Sequence, residues 1–201
     1  MSRGAKIVGA VVAVAVVAGA VWWWMKPAEV ADGVMFVGDS VTFLSLDDLN
    51  GDLGAKHPAY YARPGFTSAD LLPIFKQAVE EREADGDPLE QVAMLIGYND
   101  VLHDDVESPA LGEIMTLAGK FDCAIWLELP PVPLRTELVD RWNERARAEA
   151  RKHPSIHLVD EWRKLVASDP DAYVPDDGVH PNAKGREELS RIYLDAIRNL
   201  C

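Results

Sequence analysis

Five strand-length apolar runs, separated by stretches mostly long enough for a helix, constrain this chain more than any other feature. The runs are "VMFVG", "AYYA", "QVAMLIG", "CAIWLEL" and "IHLVD". They are nearly continuous in apolar residues rather than alternating, as expected of strands with both faces covered. Between them, "SADLLPIFKQAVEERE", "ESPALGEIMTLAGK" and "LRTELVDRWNERARAEARKH" have helical length. Buried strands alternating with helices give a parallel sheet with helices on each face. Near the carboxyl end, Leu189, Ile192, Tyr193, Ala196, Ile197 and Leu200 recur at three- and four-residue spacing, the apolar stripe of a helix packed on the body. The expected fold is one α/β domain, a three-layer α/β/α arrangement around a sheet of roughly five parallel strands.

The amino-terminal segment differs from everything after it. From Ile7 to Met25 run nineteen residues without a charge, "IVGAVVAVAVVAGAVWWWM". At about 1.5 Å per helical residue they would extend about 28 Å, close to the hydrocarbon thickness of a bilayer. Arg3 and Lys6 precede the run and Trp22, Trp23 and Trp24 close it. Basic flanks stay on the inner side and indole rings favour the interface, so the reading is a single-pass anchor with the amino terminus inside. A cleaved signal peptide is the alternative, since Ala18-Gly19-Ala20 resembles a cleavage site. Residues 1–26 are thus assigned to the anchor or signal segment, 27–32 to a tether and 33–201 to the domain.

Charge narrows the partners. All 33 acidic residues but only 17 of the 20 basic ones follow Pro27, leaving that part at −16. Such a surface is unsuited to nucleic acid or to lying on anionic lipid. A monomer is expected. Cys123 and Cys201 form neither a CxxC pair nor a metal spacing. Cys123 reads as a small core residue; a bridge to Cys201 is permitted outside the cell, but nothing in the sequence fixes their distance.

In a parallel sheet, ligands sit beyond the carboxyl ends of the strands. The first run ends on Gly38-Asp39-Ser40, the third leads into "GYND" (97–100), and the fourth is followed by "PPVP". A serine nucleophile at the first of these places needs an imidazole to take its proton and a carboxylate to orient that imidazole. It also needs hydrogen-bond donors for the developing oxyanion, and no cofactor. Of five histidines, His57, His153 and His157 lie in polar or helix-end contexts, while His103 could border the pocket. His180 stands in "PDDGVHPNAKG", with Asp177 three residues before it, in a Gly- and Pro-rich loop ahead of the final helix. Taken alone, that loop could equally be an incidental polar connection in which Asn182 caps the helix.

The blocks "GDS" (38–40), a glycine in "ARPGFTSAD", "GYND" (97–100) and "DGVHPN" (177–182) occur in this order. Together they resemble the SGNH, or GDSL-type, hydrolase family, and the resemblance spans residues 34 to 199. It implies a flavodoxin-like α/β fold and the following roles. Ser40 would be the nucleophile, His180 the base and Asp177 its partner. The oxyanion donors would be the Ser40 and Gly65 backbone N–H groups and the Asn99 side-chain amide. Asp39 and Asp100 would shape their loops through hydrogen bonds. Phe43 and Leu44 depart from the small residue common after the first block, and their bulk is expected to narrow one side of the pocket.

The expected function is therefore a membrane-anchored serine esterase acting outside the cytoplasm on a small or short-chain acyl ester such as O-acetyl, through an acyl-enzyme. Transfer of the acyl group to an envelope glycan, and thioesterase or lysophospholipase activity, are the enzymatic alternatives. An anchored binding module with a relict site is the non-catalytic one.

Overall fold

The computed structural model describes residues 30–54 and 56–201. The apolar segment 7–25 lies outside them, and among the described residues no helix is long and apolar enough to cross a membrane. All five apolar runs form strands. β1 (Met35–Gly38) leads into the short helices α1 (Ser40–Leu44) and α2 (Leu46–Leu53). β2 (Ala59–Ala62) is followed by α3 (Ser68–Asp85), and β3 (Gln91–Leu95) by α4 (Tyr98–Leu102) and α5 (Ala110–Ala118). β4 (Cys123–Leu127) precedes α6 (Thr136–Ala150). β5 (Ile156–Val159) is followed by α7 (Glu161–Ser168), α8 (Pro170–Tyr173) and α9 (Ala183–Leu200).

The strands lie in the order β2-β1-β3-β4-β5 and every neighbouring pair is parallel. The expected single α/β domain with five parallel strands is what forms. β1, β3 and β4 are buried along their whole length, which is why their sequences carry no polar alternation. In this order the chain winds one way from β1 to β2 and the other way from β3 onward. The carboxyl ends of β1 and β3 therefore border the crevice where such sheets bind ligands. Their register is level there: Gly38 pairs with Ala62 on one side and Leu95 on the other.

The helices hold this edge in place. α3 starts on a reciprocal cap, in which the Thr67 hydroxyl accepts from the Asp70 N–H and the Asp70 carboxylate accepts from the Thr67 N–H. It buries Leu71, Phe75, Ala78 and Val79 against the sheet. α9 buries Leu189, Ile192, Tyr193, Ala196 and Ile197, whereas Leu200 is 44% exposed, so the expected stripe ends one turn early. The expectation for the cysteines needs a larger correction. Cys123 is not an isolated core thiol; it is bonded to Cys201, with their Cα atoms 5.5 Å apart. The last turn of α9 is carried back to the amino end of β4, which makes adjacent two residues that are far apart in sequence.

Candidate active site

The carboxyl end of β1 explains the "GDS" block residue by residue. At Gly38 a Cβ atom would lie 2.1 Å from the Thr42 hydroxyl and 2.8 Å from the Leu95 carbonyl, so no larger residue fits where α1 folds back over the strand. Asp39 is the N-cap of α1: its Oδ1 accepts from the Val41 N–H at 3.1 Å. Ser40 is the first residue of that helix, where the backbone N–H groups have no partner in the helix's own ladder. Asp39 is fully buried and its Oδ2 has no hydrogen bond of normal geometry. Burial pushes its carboxyl up to about 7; the Val41 and Tyr98 backbone N–H groups act against this, Asp100 adds to it, and His180 opposes it.

His180 reaches Ser40 from the loop before α9. Its Nε2 lies 2.9 Å from Ser40 Oγ and its Nδ1 lies 2.6 Å from Asp177 Oδ2. The other Asp177 oxygen accepts from the backbone N–H groups of Val179, at 2.9 Å, and His180, at 2.8 Å. Burial acts to raise the Asp177 carboxyl, but the hydrogen bonds from His180 and Val179 outweigh it and hold the group below its ordinary value. The loop is itself braced: the Gly178 N–H donates to the Val174 carbonyl and the Asn182 N–H to the Tyr173 carbonyl. The Asn182 side chain then caps α9 by accepting from the Gly185 N–H at 2.8 Å. Asp176 has no such link to the imidazole. Between the two ends of the site, the Thr42 and Tyr193 hydroxyls meet at 3.0 Å and tie α1 to α9.

Gly65 and Asn99 come together at the carboxyl ends of β2 and β3. The Phe66 N–H closes on the Arg63 carbonyl at 3.4 Å, making a turn with Pro64 and Gly65 at its centre. Gly65 has φ +79°, the conformation that a Pro-Gly pair supplies in a type II turn. A Cβ there would meet nothing within 4 Å, so the requirement for glycine comes from the backbone angle rather than from crowding by the protein. The Asn99 side-chain amide donates to the Phe66 carbonyl at 2.9 Å. One of its two N–H groups is thus used to fix the amide plane, which leaves the second to serve a ligand. Asp100 is buried and accepts from the Ser68 N–H at 2.9 Å and the Ser68 hydroxyl at 2.5 Å. Burial raises its carboxyl, against the pull of both Ser68 bonds. Both expected loop-shaping carboxylates therefore do shape their loops, Asp39 by capping α1 and Asp100 by lashing α4 to the start of α3.

No local pattern pointed to the carbonyl of Phe66, the side chain of Ser68 or the Thr42–Tyr193 contact. Only the distance between blocks brought together by the fold reveals them. His103 is exposed at the end of α4, and His57 is exposed and bonded to Asp32. Phe43 and Leu44 are 44% and 41% exposed on α1, so a large part of each side chain stands in solvent. The site is open: the side chains of His180 and Asp177 are 43% and 48% exposed. A cleft of about 490 Å³ between β5, α7 and α9 contains none of these residues. Among the described residues no cluster of His, Cys, Asp or Glu could hold a metal ion.

Residues 36–187 match the GDSL-like lipase/acylhydrolase family. The chain belongs to that family. It is accordingly an ester-hydrolysing enzyme. No curated protein sequence matches it. Among solved structures, the GDSL-like chain is similar to the C-terminal catalytic domain of Streptococcus pneumoniae peptidoglycan O-acetyltransferase A with a methylsulfonyl adduct. The identity is 22% and the TM-score 0.59, with 84% of this chain and 92% of that one covered. It is also similar to the lipase/acylhydrolase from Enterococcus faecalis, at 20% identity and TM-score 0.63 over 82% of this chain and 94% of that one. The psychrotrophic esterase EstA from Pseudoalteromonas, inhibited by monoethylphosphonate, is 17% identical with TM-score 0.62, over 83% of this chain and 97% of that one. At these identities the likeness concerns the fold.

Proposed function

We propose that this GDSL-like enzyme is an anchored serine esterase that removes a small or short acyl group, such as acetyl, through a covalent intermediate on Ser40. The observation that carries the reading is the unbroken run of hydrogen bonds from Ser40 Oγ through both ring nitrogens of His180 to Asp177. In this scheme Ser40 Oγ attacks the ester carbonyl carbon while His180 Nε2 takes the hydroxyl proton, and the carbonyl electron pair moves onto oxygen. That oxyanion is held by the backbone N–H groups of Ser40 and Gly65 and the amide of Asn99. Collapse of the tetrahedral species expels the alkoxide, which receives the proton from His180. Water, deprotonated by His180, then releases the carboxylic acid and restores Ser40. Asp177 keeps the imidazole in the tautomer that presents a bare Nε2 to Ser40.

The openness of the site favours water over a sugar hydroxyl as acceptor. Transfer to a glycan remains the second reading, supported by likeness to a domain described as a peptidoglycan O-acetyltransferase. We place the enzyme on the outer side of the plasma membrane, with 1–26 as anchor, 27–32 as tether and 33–201 as catalytic domain. The Cys123–Cys201 bridge supports this side, since such bonds persist in oxidising compartments.

The test is labelling by a fluorophosphonate, followed by a panel of esters of increasing acyl length. The wild type should be labelled and prefer acetyl to longer chains, and Ser40→Ala should stay folded yet lose both labelling and nearly all turnover. Labelling that survives in Ser40→Ala would overturn the assignment of the nucleophile.

A further inference from the structure

The described chain enters the folded body at the face opposite the candidate site. Val30 is buried, and the Ala31 N–H donates at 2.6 Å to the side chain of Gln91, the first residue of β3. The Gly33 carbonyl accepts from Arg82, near the end of α3 that reaches the amino edge of the sheet. A depression at this edge is lined by Val30, Lys56, Gln91 and the bonded pair Cys123 and Cys201, among others. Ser40, by contrast, follows the carboxyl end of β1. Strands of four to five residues, at about 3.3 Å per residue and with a turn at each end, separate entry and site by about 20 Å.

The connection to the apolar segment is short. Only residues 26–29 lie between that segment and buried Val30, and one of them is Pro27. Even fully extended, four residues span at most about 14 Å. A domain of this size is about 40 Å across, so the tether is too short to run around the body and let it turn over.

We infer that the domain is held with its active site facing away from the bilayer, so that its substrate is an acyl ester on a polymer or solute beyond the membrane surface and not an ester of a bilayer lipid. This rests on the anchor and the nucleophile proposed above, and it adds the substrate class. A phospholipid ester lies at the level of the headgroups, about 20 Å or more below Ser40. Bringing it to the site would require lifting the lipid out of its leaflet against the burial of its own acyl chains.

The test uses the full chain in phosphatidylcholine–phosphatidylglycerol vesicles that carry a headgroup-labelled acceptor lipid. A fluorescent fluorophosphonate on Ser40 serves as the donor, and energy transfer should place it more than about 20 Å above the acceptor plane. In parallel, unlabelled enzyme in vesicles is given a water-soluble acetyl ester and a phospholipid ester within the bilayer. The soluble ester should be turned over at least tenfold faster in kcat/KM. Insertion of twenty Gly/Ser residues between Pro27 and Ala28 should raise the transfer efficiency and leave turnover of the soluble ester unchanged. A donor at the level of the headgroups, or a bilayer ester cleaved as fast as the soluble one, overturns the inference alone. A chain that fails to float with the vesicles overturns the anchor, and the inference with it. A floating chain that takes no label overturns the Ser40 assignment.

Discussion

Replacing Asp39 with asparagine should remove a pH dependence of stability that the buried carboxyl imposes. Asp39 is fully buried, its Oδ2 has no hydrogen bond of normal geometry, and its carboxyl is raised from 3.8 to about 7. Between those two values the folded protein keeps a proton that the unfolded chain has released. The stability conferred by the neutral group is therefore fully present below about pH 4 and is lost as pH rises towards 7. Three pH units at about 1.4 kcal/mol each give a loss of about 4 kcal/mol. In Asp39→Asn the side chain does not titrate, its carbonyl can still accept from the Val41 N–H, and asparagine is as good an N-cap as aspartate. Urea unfolding, followed through the buried Trp126, Trp142 and Trp162, should be measured for both proteins from pH 4.5 to 8 on a chain beginning at Glu29. Every other titrating group is common to the two proteins and cancels in the difference, apart from its coupling to Asp39. The mutant should gain on the wild type by about 3–4 kcal/mol across that range. A difference that stays flat to within about 1 kcal/mol would refute the argument, because it would mean that Asp39 ionises as an ordinary carboxyl.

Asn99→Ala should lower kcat by about 10²–10³ with a smaller change in KM, since the amide acts on charge that develops in the transition state; steady-state kinetics that show a raised KM at constant kcat would contradict it. Asp177→Asn should keep the fold but favour the wrong imidazole tautomer, a change that costs about 10⁴ in kcat in a serine protease. Asp176→Asn, which touches neither ring nitrogen, should be nearly silent; the same kinetic assay on both mutants decides, and a crippled Asp176→Asn would be the failing result. The depressed Asp177 carboxyl stabilises the fold at every pH above its ordinary value of 3.8, and that contribution is lost as pH falls from there through its lowered folded value. Cys201→Ser, or reduction of the bridge, opens a loop of 78 residues and should cost up to about 4.5 kcal/mol in urea denaturation, with activity on small esters retained below the transition.

The strands were legible because each is a nearly continuous apolar run, and burial on both faces is what such runs are for. Helices α3, α5, α6 and α9 were legible from length and spacing. The five-residue helices α1 and α4 were not, since helices this short owe their existence to packing, and in α1 to the Asp39 cap, rather than to periodicity. The bond between Cys123 and Cys201 was out of reach for a related reason: it depends on where the end of α9 meets the start of β4, a distance that no local pattern encodes. At the site, the spacing of Asp177 and His180 within one loop could be read directly. The bond from Asn99 to the Phe66 carbonyl joins residues 33 apart in the chain and appears only once β2 and β3 stand on either side of β1. The buried titration of Asp39 was hidden because a Gly-Asp-Ser turn looks the same in sequence whether or not water reaches it.

The contact between Ser40 and His180 spans 140 residues, and the Thr42–Tyr193 bond behind it spans 151. A chain made from its amino end presents the hydroxyl early and the imidazole late. At about 5–20 residues per second, roughly 7–30 s of synthesis separate the two. On the proposed mechanism Ser40 is an ordinary alcohol throughout that interval, because the imidazole that would take its proton has not yet been made. Even then α9 must dock before the ring and the hydroxyl share one geometry. On that mechanism the nascent protein is thus chemically silent towards esters, and a chain truncated anywhere before α9 should be inert however well β1 to β4 have formed.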